Sequence, residues 1–311
     1  MTFAPARSVA LCTHNPDRVR LSRVLQSLAS QTLPADRWEL VLVDNQSAPP
    51  LSGRLSVPAR LTHLRIVEER ELGLTPARRA GIEAALGEVL VFVDDDNVLS
   101  PDYLQAALDL MTREPQVGAA GGIIEAEWET PPPLYAAPYL SLLGVRDFGA
   151  RPMRALVHDR VGPWEPIGAG MVIRKTIARH YRHLAGNGPR GRLDRRGSNL
   201  GSCGDTDMAR CAVDLGYYMA YEPALRMTHI IPAFRLTYRY LLRLCYSLKR
   251  SGILLDRIRT GEPQPLRSRA TKWLRLPLDV LRAVTVDPRS WGLAVATRMG
   301  EYDARLTRLD G

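Results

Sequence analysis

The segment Val89 to Pro101, VLVFVDDDNVLSP, decides the reading of this chain. Five apolar, mainly β-branched or aromatic residues are followed by three carboxylates, Asp94, Asp95 and Asp96, then Asn97 and a helix start at Ser100-Pro101. So short an apolar run describes a strand buried on both faces, as in a largely parallel sheet. Its end delivers the carboxylates to the sheet's carboxyl edge, where open α/β sheets bind ligands. If the extended conformation continues, Asp94 and Asp96 point to one side and Asp95 to the other. Two converging carboxylates suit a hard divalent cation. The same residues alone also fit a solvated turn or a helix cap, so the surrounding pattern has to choose.

Upstream, SVALC (8–12) predicts a first strand, Arg18 to Ala29 an amphipathic helix, and ELVLVD (39–44) a second strand that also ends on a carboxylate, Asp44. A third strand is expected from Leu61. A helix follows in ELGLTPARRAGIEAAL (71–86), with Thr75 as N-cap and Pro76 at the first helical position. Downstream, a helix to about Arg113 and a strand from Val117 to Ile124 continue the alternation, which defines a doubly wound sheet with right-handed crossovers. Residues 126–166, with three consecutive prolines at Pro131 to Pro133, read as a long irregular or mixed connection. PIGAGMVIRK (166–175) predicts a strand with a glycine-rich entrance. GNGPRGRLDRRGSNLG (186–201) predicts a basic loop, and Asp205 and Asp207 the first turn of a helix closed by Gly216.

The chain has 311 residues, 45% hydrophobic and 24% charged, enough for one large α/β domain or one with an appendage. Its net charge of +9, from 42 Lys+Arg and 33 Asp+Glu, lies mostly after residue 150 and implies an anionic partner. Cys12, Cys203, Cys211 and Cys245 are scattered without the spacing of a zinc motif or a disulfide framework. The absence of a signal-like leader and of a long apolar run leads to an expected cytoplasmic location. Basic apolar periodicity in LTYRYLLRLCYSLKRSGILLDRIR (236–259) and RSRATKWLRLPLDVLRAV (267–284) fits helices that either lie on an anionic bilayer or cover the core. Basic residues are not interleaved with stacking aromatics in any nucleic-acid module, so no nucleic acid is expected.

Taken in order, ALCTHNP, LVLVDNQS, LGLTPARRAGIEAALGEVLVFVDDDNVLSPDYL, GAGMVIRK and GDTDMARCAVDLGYYMAYEPALRMTHIIP resemble the family 2 glycosyltransferases of GT-A fold, over residues 7 to 250. The resemblance implies a doubly wound, mostly parallel sheet with helices on both faces and a C-terminal helical extension. The catalytic domain would span 1–235, with a nucleotide-sugar half (7–125) and an acceptor half (126–235), and the basic extension 236–311. It implies an inverting transferase that moves a sugar from a nucleoside-diphosphate sugar, UDP-linked by preference, to a hydroxyl of a glycan or lipid-linked acceptor.

Thr13, Asn15 and Asp44 would line the base pocket, and Arg78 would approach the diphosphate or brace the acidic motif, work suited to a planar five-donor cation. Asp94, Asp96 and His229 would hold Mn²⁺ or Mg²⁺, with Asp95 reaching a ribose or sugar hydroxyl. Asp205 would remove the acceptor proton, with Asp207 in reserve, because Gly204 stands where the family carries Glu. Gly168, Ala169 and Gly170 would admit donor or acceptor, and Trp164 would stack on a sugar. Two other functions remain: a nucleotidyltransferase that makes activated sugars, although ALCTHNPDRVR is not its glycine-rich phosphate loop, and a non-catalytic sugar-nucleotide-binding subunit.

Overall fold

The computed structural model describes residues 5–157, 162–186, 188–261 and 289–307. Four strands, β1 (Arg7–Thr13), β2 (Trp38–Asp44), β3 (Leu64–Glu68) and β4 (Val89–Asp94), form the parallel part of one sheet in the order β3-β2-β1-β4. β1 and β2 are buried along their whole length, because helices cover both faces. Val9, Leu11, Leu40, Leu42, Val91 and Val93 pack on helices α1 (Arg18–Ala29) and α3 (Tyr103–Arg113). Cys12, Val41 and Val43 face Ala77 of α2 (Leu74–Ala84) on the opposite side, and Gly81 of α2 faces Ala10. The period-two alternation of a strand thus assigns each residue to one of two helical layers.

The register aligns the functional edge. Thr13 pairs with Asp44, and Cys12 with Asp94, so the carboxyl ends of β1, β2 and β4 finish level. Neighbours of β1 on its two sides lie on opposite directions of the winding, which makes this edge the switch point of the sheet.

Beyond β4 the pairing changes. β8 (Val172–Arg174) runs antiparallel to both β4 and β6 (Val117–Trp128). β9 (Tyr218–Ile231) pairs antiparallel with β5 (Asn97–Leu99) and with β7 (Met153–Ala155). Only Asp95 and Asp96 separate β4 from β5, and a parallel return needs a crossover of a dozen residues, so β5 leaves β4 to pair with β9. Gly122 of β6 sits against β9 so closely that a Cβ there would overlap the Leu225 carbonyl oxygen and lie 2.6 Å from that of Glu222. Gly122→Ala is therefore expected to cost about 1–3 kcal/mol or more, read as a lowered midpoint in urea unfolding.

Several boundaries differ from expectation. The cap of α2 is Gly73, not Thr75: its φ of 143° is open to glycine, and its N–H donates to Asn45 Oδ1 at 2.8 Å. The strand expected over 166–175 shortens to Val172–Arg174, because Gly168 to Gly170 form a turn in which Met171 N–H donates to the Gly168 carbonyl. A helix absent from the sequence reading, α4 (Lys175–Gly186), follows directly. Within 126–166, β7 and a 3-10 stretch over Leu134–Leu143 make up the ordered part of a mixed connection.

The chain divides into two compact units. The first unit contains Met1–Glu127, Gly144–Leu184 and Asp205–Ile230. The second gathers Trp128–Leu143 and Ala185–Gly204 with the chain from Ile231 onward, because these segments share a core of their own. That core includes Leu193, Cys203, Ile253, Leu254, Leu255 and Ala304.

In this second unit α6 (Tyr238–Thr260), stopped by Gly261 at φ 68°, packs on α7 (Arg289–Leu306). Gly292 and Gly300 of α7 leave room for the Tyr238 ring and the Tyr246 backbone. Arg257 Nη1 donates to the carbonyls of Ala304 and Thr307 at 2.5 and 2.8 Å, which satisfies the end of α7. An apolar stripe of α6 is thus occupied by a neighbouring helix. The second basic segment, 267–284 with Trp273 and Pro277, lies outside the described residues. Among the described residues no helix is long and apolar enough to cross a membrane.

Candidate active site

The acidic segment is a tight turn, not an extended run. β4 ends at Asp94, Asp95 and Asp96 turn, and Asn97 opens β5. Asn97 holds the turn from inside: its Oδ1 accepts from Asp94 N–H at 3.1 Å and its Nδ2 donates to Asp96 Oδ1 at 2.9 Å. Asp94 and Asp95 are half-buried, whereas Asp96 is only 4% exposed, so the simple alternation of side chains gives way to the turn. Asp96 also lies beside His229, with Oδ1 3.5 Å from Nε2, because β5 pairs Asn97 with His229 across to β9. Asp96 and His229 thus form a close pair at the end of β4.

The β1 and β2 ends meet this turn. Thr13 donates its hydroxyl to Asp95 Oδ2. Asp44 is buried, and its two oxygens accept from Ser47 N–H at 3.0 Å and Leu51 N–H at 2.8 Å, which shapes the loop after β2. Each oxygen retains a second lone pair, so that task is compatible with accepting from a base. Asn15, in the left-handed region at φ 47°, receives Ala48 N–H on Oδ1 at 2.8 Å and donates its own N–H to Ser47 Oγ at 2.9 Å.

Asn45, which the sequence reading passed over, joins this loop to the start of α2. Its Nδ2 donates to the Glu69 and Glu71 carbonyls at 3.2 and 2.7 Å while Oδ1 accepts from Gly73 N–H. An Asn directly after a strand-terminal Asp was the available signal.

Arg78 is 3% exposed and reaches two parts of the site. Burial pushes the Cys12 thiol up to about 12, with Asp94 and Asp95 adding to the rise and Arg78 opposing it, so all three charges act on one buried point at the end of β1. The Arg78 guanidinium also lies over Gly168: a Cβ on Gly168 would overlap Nη2 and stand 3.2 Å from Asp205 Cβ. The missing side chain of Gly168 therefore leaves the space in which Arg78 and Asp205 approach each other. Gly168→Ala is expected to displace one of them, an overpacking cost of about 1–3 kcal/mol read as a lowered midpoint in urea unfolding.

Asp205 stands in the first turn of α5 (Gly204–Asp214). Its Oδ2 accepts from Gly168 N–H at 2.7 Å and its Oδ1 from Thr206 N–H at 2.8 Å, while the residue stays partly open to solvent. Asp207, two residues on in the same first turn, is 1% exposed. Ala169 is half-buried between the two glycines, and Gly170, at φ 70°, accepts the Tyr103 hydroxyl on its carbonyl. Burial raises the Tyr103 phenol, which keeps it a donor.

Trp164 is half-buried with its ring against Gly162. Its loop is braced by Arg146, another residue missed in the sequence: Nη1 donates to the Glu165 carbonyl at 2.8 Å and Nη2 to that of Pro163. Burial lowers the Arg146 guanidinium, whose carbon stands 5.0 Å from the Phe148 ring centre. Glu165 in turn pairs with Arg210 of α5, Oε2 to Nε at 3.3 Å, with both side chains buried.

A sheet switch point, an acid-rich turn and a carboxylate beside a glycine turn thus come together in one α/β unit. The family model described as Glycosyl transferase family 2 matches residues 8–164, just over half of the chain, and the chain belongs to that family. The α/β architecture above is that expected of its GT-A fold.

The chain is similar to the putative glycosyltransferase EpsH of Bacillus subtilis, 30% identical over 33% of this chain and 30% of that protein. It is also similar to the amylovoran biosynthesis glycosyltransferase AmsE of Erwinia amylovora, 32% identical over 38% of this chain and 44% of that protein. The match thus spans less than half of either relative's length. A solved structure of S. aureus TarS superposes with a TM-score of 0.49 at 15% identity, over 96% of this chain and 54% of that one.

Proposed function

We propose that the protein transfers a sugar from a nucleoside-diphosphate sugar, UDP-linked by preference, to a hydroxyl of a glycan or lipid-linked acceptor, with inversion, in polysaccharide or glycoconjugate assembly. The observation that carries this reading is the convergence on Gly168. Arg78, within electrostatic reach of the acidic turn, and Asp205, a half-open carboxylate that accepts the Gly168 N–H, both border the position a Cβ on Gly168 would take. A leaving diphosphate needs cationic charge, and an attacking hydroxyl needs a base; this arrangement supplies both on neighbouring atoms.

Asp205 takes the acceptor proton in this reading, and its two backbone hydrogen bonds hold it in one orientation. Asp207, almost wholly buried, fits a structural role better than the reserve role of base. Asp96 and His229, with Asp94 nearby in the same turn, fit a divalent ion: an anionic oxygen and a ring nitrogen 3.5 Å apart are a suitable donor pair. Mn²⁺ or Mg²⁺ held there would supply charge to offset the diphosphate. Arg78 adds a fixed cation, Thr13 orients Asp95, and the Asp44 loop with Asn15 borders the base. Trp164, steadied by Arg146, offers an aromatic face to an acceptor sugar. The basic residues of α6 favour an anionic lipid or glycan partner.

Membership of the family weighs against a nucleotidyltransferase. The Gly204 departure keeps a non-catalytic binding subunit in play, and one experiment separates the readings. In a thermal-shift screen with Mn²⁺, a UDP-sugar is expected to raise Tm more than the matching sugar phosphate or nucleoside triphosphate does. Incubation with an acceptor should then release UDP. Pyrophosphate release from a triphosphate and a sugar phosphate would favour the nucleotidyltransferase, and binding without any turnover the subunit.

A further inference from the structure

At the far end of α5 from Asp205, three side chains of different chemistry meet. His180 of α4 and Cys211 and Asp214 of α5 bring one ring nitrogen, one sulfur and one carboxylate oxygen within 4.8 Å of one another. Cys211 and Asp214, three residues apart, share one face of the helix. Both helices are seated on β6 at Gly118, where a Cβ would stand 2.9 Å from that of Ala212 of α5 and would overlap the Ile177 side chain of α4. The close approach allowed by Gly118 therefore sets the spacing between the two helices that carry the donors.

We propose that His180, Cys211 and Asp214 form a binding site for a borderline-soft divalent ion of the Zn²⁺ class, separate from the acidic turn. A thiolate and an imidazole select such an ion over Mg²⁺ or Mn²⁺, which prefer all-oxygen sites. Three protein donors leave a fourth position for water, as tetrahedral Zn²⁺ allows. Burial grades outward: Cys211 is buried, His180 half-buried and Asp214 exposed, so the ion enters from the Asp214 side and water completes its shell there. Asp214 is also the last residue of α5, where the helix dipole disfavours an anion, and a bound cation reverses that penalty. On binding, the Cys211 thiol gives its proton to solvent and the sulfur becomes the ligand. Nine residues separate Asp205 from Asp214, about 14 Å along a helix. The ion therefore fastens α5 to α4 without touching the reacting groups, and its function is to hold the helix that carries Asp205.

The test uses the full chain, stripped of metal and titrated with Co²⁺ as a spectroscopic probe for Zn²⁺. One equivalent should produce an intense thiolate-to-cobalt charge-transfer absorption. Cys211→Ser should abolish that band, His180→Ala and Asp214→Asn should weaken binding at least about tenfold, and Asp96→Asn should leave the band intact. Zn²⁺ should raise Tm in the parent and less in the variants. Bound Co²⁺ without a thiolate band, or a band that survives Cys211→Ser, overturns the proposal. Should Cys211→Ser fail to fold, Asp214→Asn decides at an exposed position: parent-like affinity in that variant overturns the site, and a tenfold loss supports it. None of these readouts depends on glycosyl transfer.

Discussion

Asp96→Asn is expected to lower Mn²⁺-dependent kcat/KM by at least about 100-fold while the protein stays folded. Loss of an outer partner of a metal commonly costs 10- to 100-fold, and a direct ligand should cost no less. The substitution preserves shape, and the amide oxygen can still accept from Asn97 Nδ2, the bond of 2.9 Å that stabilises the turn. What disappears is the negative charge beside His229. Because the side-chain shape and the Asn97 hydrogen bond are kept, the protein should still melt cooperatively. Nucleoside diphosphate release over a range of Mn²⁺ concentrations, beside a thermal melt, measures both quantities. Parent-like activity with parent-like Mn²⁺ dependence would remove Asp96 from the site.

Asp205→Asn is the second large effect, and it should fall on kcat alone. A positioned general base contributes about 10²- to 10⁴-fold, and donor binding does not require it, so KM for the sugar nucleotide should hardly move. The variant carries a modest local cost. Both carboxylate oxygens accept backbone N–H groups, from Gly168 at 2.7 Å and Thr206 at 2.8 Å, and an amide can serve only one of them as acceptor. An unmet pair at this half-open position is worth about 1 kcal/mol. Asp207→Asn is the companion measurement: burial of that side chain predicts a loss of stability with kcat largely retained. A collapse of kcat in Asp207→Asn with normal turnover in Asp205→Asn would exchange the two roles.

Both variants test residues that stood out in the sequence, whereas their surroundings did not. Asn45 and Arg146 looked like ordinary loop residues, yet one spans from β2 to the start of α2 and the other braces the Trp164 loop through two backbone carbonyls. Their partners lie 17 to 28 residues away in the chain, and no local pattern encodes a hydrogen bond to a distant carbonyl. The same limit explains α2, where Thr75-Pro76 imitated a cap but Gly73, held by Asn45, supplies the start. His180, Cys211 and Asp214 are invisible as a motif because their proximity arises from two helices packed over Gly118.

In VLVFVDDDNVLSP the local pattern alone determined a buried strand that ends on carboxylates at the sheet edge, because continuous apolar character is recorded residue by residue. The parallel order of the first four strands followed from the alternation of strands and helices, since a chain returning in parallel needs a crossover. The chemistry of the three acids was decided only by the tertiary structure. A two-residue turn pinned by Asn97 overrode the simple alternation, buried Asp96 beside His229 and left Asp94 and Asp95 half-open, near the charge of Arg78. The division of the chain into two units was likewise a tertiary result. Shared cores formed between segments more than a hundred residues apart, and hydrophobic contact has no preference for neighbours in sequence.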